Sequence, residues 1–318
     1  MNCLICGGKK FAVIRKKVRY DIKREVFACE RCGFVFLRPL KKSAKDFYEK
    51  KFYRKSYGPV YSKSSTPREI FEMYYPFQKD IVQKIEPILR KDMKVLDVGC
   101  STGHFLAALK GKVAARVGIE LSKKEASFAN RHRGFKVYDK PMEELALPEG
   151  PFDLITALQV LEHVEHPLQF LLKLKKNLKP EGYLYLELPN LNDPLLSYYK
   201  VAGYADFYYR EPHLSYFTKK TLSMLLKKAG LRGKIGNVQR YNILNHLHWL
   251  ATGKPQGDFT MGNRTPVLMG AGVKDMRVRK DFNDFIARAD REYKKLIERN
   301  WLGESLTFLG RKRVRPEA

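Results

Sequence analysis

At 318 residues, 44% of them hydrophobic, the chain has enough apolar material to bury a core, which excludes wholesale disorder. No apolar run reaches the roughly 20 residues a bilayer-crossing helix needs. The opening Met1-Asn2-Cys3-Leu4-Ile5-Cys6 also lacks the long apolar centre of a secretory signal, so a cytoplasmic protein without a membrane span is the expectation. Lys and Arg number 61 against 34 Asp and Glu, a formal net charge of +27 that is densest before residue 60 and at Arg311-Lys312-Arg313. Such a surplus reads either as a solvated basic surface or as a grip on phosphates.

Four of the five cysteines form two Cys-x-x-Cys pairs, Cys3 with Cys6 and Cys29 with Cys32. In a reducing compartment that spacing reads as a metal site before a disulfide framework. Zinc prefers four thiolates in a tetrahedron, and four protein ligands leave no open position, so the site is expected to be structural. Unmetallated thiols and a redox pair are the other readings. Between the pairs, Phe11-Ala12-Val13-Ile14 and Val26-Phe27-Ala28 read as short strands. A polar, Tyr-rich connector with Ser62, Ser64, Ser65 and Pro67 follows, and the apolar residues from Arg68 to Arg90 recur at helical spacing.

Strands and helices then alternate. The predicted strands are Val95–Val98, Arg116–Ile119, Phe135–Tyr138, Phe152–Ala157 and Tyr183–Leu188. Helices are predicted over Phe105–Lys110, around Ala126–Ala129, and over Pro167–Leu178, with Lys179-Pro180-Glu181-Gly182 as a turn. This order implies right-handed crossovers and a mainly parallel, doubly wound α/β sheet. A Tyr-rich segment over 197–217, a helix from Thr218 to Ala229, a mostly helical stretch from 243 to about 300, and a closing strand at Ser305–Leu309 complete the chain.

Val95-Leu96-Asp97-Val98-Gly99-Cys100-Ser101-Thr102-Gly103 is a strand, a small-residue turn and a helix start. Gly99 and Gly103 allow a tight bend where a Cβ would clash. Glu120 ends the next strand, where an acid can accept the hydroxyls of a ribose. Taken alone, this loop also fits an ordinary strand–helix turn of any α/β domain.

The residues resemble those of class I methyltransferases that use S-adenosylmethionine. Asp97-Val98-Gly99-Cys100-Ser101-Thr102-Gly103 is similar to their first motif, D-x-G-x-G-x-G, with Ser101 in place of the middle glycine. Gly118-Ile119-Glu120-Leu121-Ser122 resembles the acid of the second strand. Phe152 to Val164, which includes Leu158, Gln159 and His163, resembles the fourth-strand motif, and Leu178 to Tyr183 the turn before strand five. The resemblance covers residues 68–240. It implies a Rossmann-like, seven-stranded sheet with the glycine loop against the methionine part of the cofactor. It further implies Glu120 on the ribose, Pro141-Met142-Glu143 flanking the adenine, and His163 packed near the cofactor. Metal-assisted members carry Glu-x-x-Glu-His where this chain has Gln159, Glu162 and His163, and the glutamine argues against a catalytic Mg²⁺.

The cysteine pairs, with Cys32-Gly33-Phe34-Val35-Phe36-Leu37 after the second, are similar to a group of these enzymes with an N-terminal zinc ribbon, sugar C-methyltransferases among them. The segment Arg240–Leu247 resembles a tail in members linked to surface-glycan synthesis. The group places a Glu-His pair before Ser-Tyr-Phe; here Glu211-Pro212-His213 precedes Ser215-Tyr216-Phe217. His213 is therefore the candidate general base with Glu211 as its orienting acid, the other reading being a histidine that caps or packs under the next helix. Tyr208, Tyr209 and Tyr216 either stack on an acceptor or simply pack.

The expected organisation is a zinc ribbon over 1–40, a connector over 41–67, a cofactor-binding core over 68–242 and a mostly helical extension over 243–318. The expected function is methyl transfer from S-adenosylmethionine to oxygen or carbon of a small-molecule acceptor, a sugar, a nucleotide-linked sugar or a related glycan precursor. An RNA methyltransferase is the alternative, and a binding module without catalysis is a third reading that the intact Asp97 and Glu120 argue against.

Overall fold

In a computed structural model of the chain, residues 2–39 and 66–313 are described; most of the expected connector lies outside them. In chain order come β1 (Phe11–Val18), β2 (Ile22–Cys29), β3 (Val35–Leu37), α1 (Pro67–Tyr74) and α2 (Gln78–Ile85). Next are β4 (Lys94–Val98), α3 (His104–Ala108), β5 (Ala115–Ile119), α4 (Lys123–His132) and β6 (Lys136–Tyr138). β7 (Phe152–Leu158), α5 (Pro167–Asn177), β8 (Leu178–Pro189), α6 (Pro194–Ser197), α7 (Ala202–Tyr208), β9 (Ser215–Tyr216) and α8 (Lys219–Lys228) follow. β10 (Leu231–Val238), α9 (Ile243–Thr252), α10 (Phe259–Asn263), α11 (Met276–Arg299) and β11 (Ser305–Lys312) close the chain.

Seven strands form one sheet in the order β10-β11-β8-β7-β4-β5-β6. The pairs β4–β5, β4–β7, β5–β6 and β7–β8 are all parallel. The chain runs outward from β4 through β5 to β6, then returns to β7 on the other flank of β4. That reversal places a crevice at the carboxyl ends of β4 and β7, the place where open α/β sheets bind ligands. The doubly wound, mainly parallel seven-stranded sheet read from the sequence is the sheet observed.

Contacts divide the chain into two units. One comprises Met1–Arg38, Pro189–Leu222 and Ile235–Thr307; the other comprises Pro39–Leu188, Ser223–Lys234 and Phe308–Ala318. Each is therefore assembled from separated segments, which boundaries drawn along the chain do not capture.

In the unit that holds β4 to β8, α2 contributes Ile81, Val82 and Ile85 to a core completed by Val95, Phe105, Leu106, Leu109, Ala126, Ala129, Leu154 and Tyr185. Burying each large apolar side chain there contributes roughly 1.5–3 kcal/mol, enough to fix the strands that carry the crevice. The helical spacing over 68–90 resolves into two helices rather than one. Thr66 and Glu69 cap α1 reciprocally, and a 3₁₀ turn over Tyr75–Phe77 divides it from α2 at Pro76, which has no N–H to continue the ladder. Lys179 to Gly182, expected as a turn, lies inside β8. Leu178 pairs with Phe152, the register shifts, and Tyr183 pairs with Leu154, so the four residues bulge within one strand.

In the other unit, β1, β2, β3 and β9 form a second, four-stranded sheet. Its core is Val18, Val26, Val35, Leu37, Tyr209 and Tyr216. A second cluster there joins Leu195, Tyr204 and Trp249. The expected helical stretch after residue 243 is α9, α10 and α11, and the closing strand is β11. Among the described residues no helix is long and apolar enough to cross a membrane.

Candidate functional site

Asp97, next to last in β4, is only 2% exposed. The Thr156 hydroxyl on β7 donates to its Oδ1 at 2.6 Å. Burial pushes the Asp97 carboxyl up to about 7, the Thr156 hydrogen bond opposes that shift, and the nearby Glu120 charge adds to it. After Asp97 the backbone turns through left-handed conformations at Gly99 (φ +74°) and Gly103 (φ +76°). A Cβ on Gly99 would come 2.5 Å from Val160 Cγ2, and one on Gly103 would come 2.5 Å from Phe135 Cζ. These two positions thus require glycine on both counts.

Ser101 stands between them, also left-handed at φ +48°. That conformation costs a non-glycine residue about 1–2 kcal/mol. Ser101 Oγ donates to Glu125 Oε2 at 2.6 Å, and Glu125 is buried, so this short hydrogen bond offsets the strain. The loop therefore survives the loss of the middle glycine. Cys100 is buried beside it.

Glu120 is fixed by the same loop. Its Oε2 accepts the Ser101 N–H at 2.9 Å and its Oε1 accepts the Ser122 N–H at 2.8 Å. The Gly99 and Cys100 amides both donate to Ile119 O, at 2.7 and 3.0 Å, which ties the bend to the end of β5. Hydrogen bonds thus tie Gly99, Cys100, Ser101 and Gly103 to one another and to the Ile119-Glu120 end of β5, while Asp97 is held from β7 by Thr156. Leu121 follows Glu120 half-buried, and Met142 is buried at the start of the 3₁₀ turn Met142–Glu144 that contains Glu143.

At the end of β7, Leu158 is half-buried and Gln159 takes φ +58°. The Gln159 amide donates to Glu187 O at 2.7 Å, and its side-chain Nε2 reaches Glu187 Oε1 at 3.5 Å. His163 Nε2 lies 3.8 Å from Oε1 of the buried Glu162.

In the other unit the four cysteines converge, every Sγ within 4.8 Å of the others. Cys3 Sγ to Cys32 Sγ and Cys6 Sγ to Cys29 Sγ are each 3.6 Å. Thiolates about 2.3 Å from a tetrahedral zinc stand about 3.8 Å apart, so the donor set fits that ion in number, type and spacing. The two knuckles are built alike. Cys3 O accepts from Gly7 N and Cys29 O from Gly33 N, both at 2.8 Å, while Cys3 N and Cys29 N donate to Gly8 O and Phe34 O. All five cysteines are free of disulfides.

His213 is buried in the same unit, with Arg210 Nε donating to its Nδ1 at 3.5 Å. The Glu211 carboxylate faces Arg24 at 4.0 Å, and Arg24 Nη1 also donates to Glu211 O at 3.1 Å. The acid expected to orient His213 is thus engaged by an arginine from β2. Tyr208, Tyr209 and Tyr216 pack against one another with centroids 5.0–5.7 Å apart.

The family profile described as "Methyltransferase domain" matches residues 71–233, just over half of the chain. The chain belongs to this methyltransferase family. The enzyme class expected from the sequence, an S-adenosylmethionine-dependent methyltransferase, stands. The methyltransferase is similar to the ubiquinone biosynthesis O-methyltransferase of Acinetobacter baylyi, 26% identical over 171 residues that span 50% of this chain and 71% of that protein. It is similar as well to the enzyme of that name from Bordetella avium, 26% identical over 201 residues, 59% of this chain and 82% of that one. Among solved structures, a SAM-dependent methyltransferase from Archaeoglobus fulgidus aligns at 19% identity with a TM-score of 0.49, covering 75% of this chain and 94% of that one.

Three residues of the methyltransferase crevice were not singled out from the sequence. Glu125, Thr156 and Glu187 are all buried, yet they hold Ser101, Asp97 and Gln159. For Thr156 and Glu187 the available signal is a polar residue inside an apolar strand, as in Tyr183-Leu184-Tyr185-Leu186-Glu187-Leu188, since a polar group buried there requires partners; Glu125, in α4, carries no such mark.

Proposed function

We propose that this methyltransferase transfers the methyl group of S-adenosylmethionine to a hydroxyl of a small-molecule acceptor, a sugar or nucleotide-linked sugar. The observation that carries the cofactor reading is the Glu120 carboxylate. Two backbone amides fix its orientation at the carboxyl end of β5, suiting it to accept the paired hydroxyls of a ribose. The bend from Gly99 to Gly103 offers backbone to the methionine part, and Asp97 offers a carboxylate to its ammonium. Leu121, Met142 and Glu143 flank the adenine, with Leu158, Gln159 and His163 along the β7 side.

Methyl transfer from a sulfonium is an in-line displacement on an already activated carbon. The chain's task is to position the acceptor and to take the proton its hydroxyl releases. His213 takes that proton. Glu211, which Arg24 also engages, is the acid proposed to orient the imidazole. Cys3, Cys6, Cys29 and Cys32 would hold one structural zinc ion; with four protein thiolates as ligands it would supply folding energy and no Lewis acid chemistry. The oxygen acceptor is supported by the O-methyltransferase names of the relatives. The sugar class is supported by the resemblance of the cysteine pairs and of Glu211-Pro212-His213 to sugar methyltransferases.

Calorimetry with S-adenosylhomocysteine tests the cofactor site: Glu120→Ala should weaken binding by roughly a hundredfold or more, as loss of a charged hydrogen-bonding partner does. Unchanged affinity removes the assignment. His213→Ala should lower turnover by roughly 10²- to 10⁴-fold with cofactor affinity preserved. Transfer of labelled methyl groups to nucleotide sugars, simple phenols and RNA identifies the acceptor. Labelling of RNA that falls steeply with added salt replaces the sugar reading.

A further inference from the structure

The stretch from Asp206 to Phe217, which contains His213, is hung at successive points on the strands that carry the cysteine pairs. Arg15 of β1 pairs with Asp206. At the end of β1, Arg19 donates from Nε to Phe207 O at 2.8 Å and from its backbone to Tyr209 O at 2.7 Å, its guanidinium lying 3.5 Å over the Phe207 ring. Arg24 of β2 holds Glu211 O at 3.1 Å. Leu37 N donates to Leu214 O at 3.0 Å, and β3 then pairs antiparallel with β9, Phe36 opposite Ser215 and Val35 opposite Tyr216. Phe34, two residues after Cys32, packs on Phe217 at 5.3 Å.

Tyr216 joins this sheet to the histidine loop. Its ring is fully buried in the core of the cysteine-bearing strands, with Val18, Val26, Val35 and Leu37. Its hydroxyl accepts the Arg210 N–H at 2.9 Å and donates to Arg210 O at 3.2 Å, closing the loop 210–216 around His213. The strands that do the holding, β1 to β3, belong to a short segment with an open face: β1 leaves Val13 46% and Ile14 43% exposed. A segment of under 40 residues with so small a core usually needs a metal or other cross-link to hold it.

We propose that the cysteine ribbon is a metal-dependent scaffold for the histidine segment: occupancy of the four-cysteine site orders residues 206–217, and with them His213, while the cofactor site does not depend on it. The proposal rests on reading the cysteines as a zinc site and adds a task to that site, the positioning of His213 through Arg19, Arg24 and Tyr216. It makes the ribbon a control on turnover that leaves cofactor affinity alone.

Hydrogen exchange on the full chain, before and after stripping the metal with a mercurial thiol reagent and a chelator, tests it. After stripping, amides over 206–217 should exchange roughly a hundredfold faster together with those over 2–37, while amides over 94–103 stay within roughly twofold. S-adenosylhomocysteine affinity, read by calorimetry, should also hold. Retained protection over 206–217 overturns the proposal, and so does equal loss over 94–103, which would mean the metal supports the whole chain. Protein purified without bound metal overturns the zinc reading along with it. Tyr216→Phe keeps the ring in the ribbon and removes the clasp; it should leave metal content intact and speed exchange over 210–216, and unchanged exchange there overturns the proposal. Wild-type turnover in His213→Ala would remove the histidine as base without touching these exchange results.

Discussion

The contacts that shape the crevice around Glu120 are close in sequence: Ser101 reaches Glu120 across 19 residues and Glu125 across 24, and Ser122 reaches Glu120 across 2. Around His213 the holding contacts come from far away, Arg19 to Phe207 across 188 residues and Arg24 to Glu211 across 187. The first region is a motif that a parallel strand–turn–helix unit folds almost by itself. The second is a segment with little regular structure of its own, ordered by a small sheet that in turn depends on four cysteines. The difference separates a site that persists under local damage from one that can be lost through a distant change.

Cys29→Ser is the largest test of that contrast. A structural zinc site contributes roughly 10–16 kcal/mol in small zinc-finger peptides, so removing one ligand should empty the site and unfold residues 2–37. Metal analysis should fall from about one zinc per chain to none. Bound metal in the variant would mean that the four cysteines are not the ligand set.

Gly103→Ala strikes the other region. The new Cβ meets Phe135 at a left-handed φ, and the expected destabilisation is roughly 2–4 kcal/mol by denaturant melting, with cofactor binding weakened in parallel. A neutral result would show that the loop tolerates rearrangement and is less rigid than its hydrogen bonds suggest. Ser101→Ala leaves the buried Glu125 without that hydroxyl and should cost about 1–3 kcal/mol. Ser101→Gly relieves the backbone strain at the same time and should cost less; equal losses would remove the strain argument.

The smallest effect concerns pH. Asp97 lies at about 7, above the ordinary value of 3.8, because burial disfavours its charged form. Its stabilising contribution to the unliganded protein is therefore complete below the ordinary value and lost as the pH rises through about 7. A cation seated against the carboxylate favours ionisation. Affinity for S-adenosylhomocysteine should therefore rise with pH up to about 7 and flatten above it, by at most roughly tenfold per pH unit. Calorimetry in two buffers of different ionisation enthalpy should show proton release on binding below that pH, and Asp97→Asn should abolish it.

Much of the crevice was legible because its chemistry is local. Asp97, Gly99, Gly103 and Glu120 announce themselves by spacing, and the cysteine pairs do so by type and interval. The break between α1 and α2 lies at Pro76, whose missing N–H shows in the sequence, yet the apolar spacing runs through it unbroken. Lys179 to Gly182 reads as a turn by composition, but pairing on both sides of it, Leu178 with Phe152 and Tyr183 with Leu154, draws it into β8.

The alternation of strands and helices, the small-residue bend after β4, the acid at the end of β5 and the two Cys-x-x-Cys pairs are marked in the sequence alone, because residue type and local spacing announce each of them. Only the tertiary structure decided that β9 completes the sheet begun by β1 to β3, that Arg24 of β2 faces Glu211, and that Glu125 accepts from Ser101. Those pairings join segments whose sequences carry no mark of one another; they are chosen by which buried donor and acceptor the folded backbone brings within hydrogen-bonding reach.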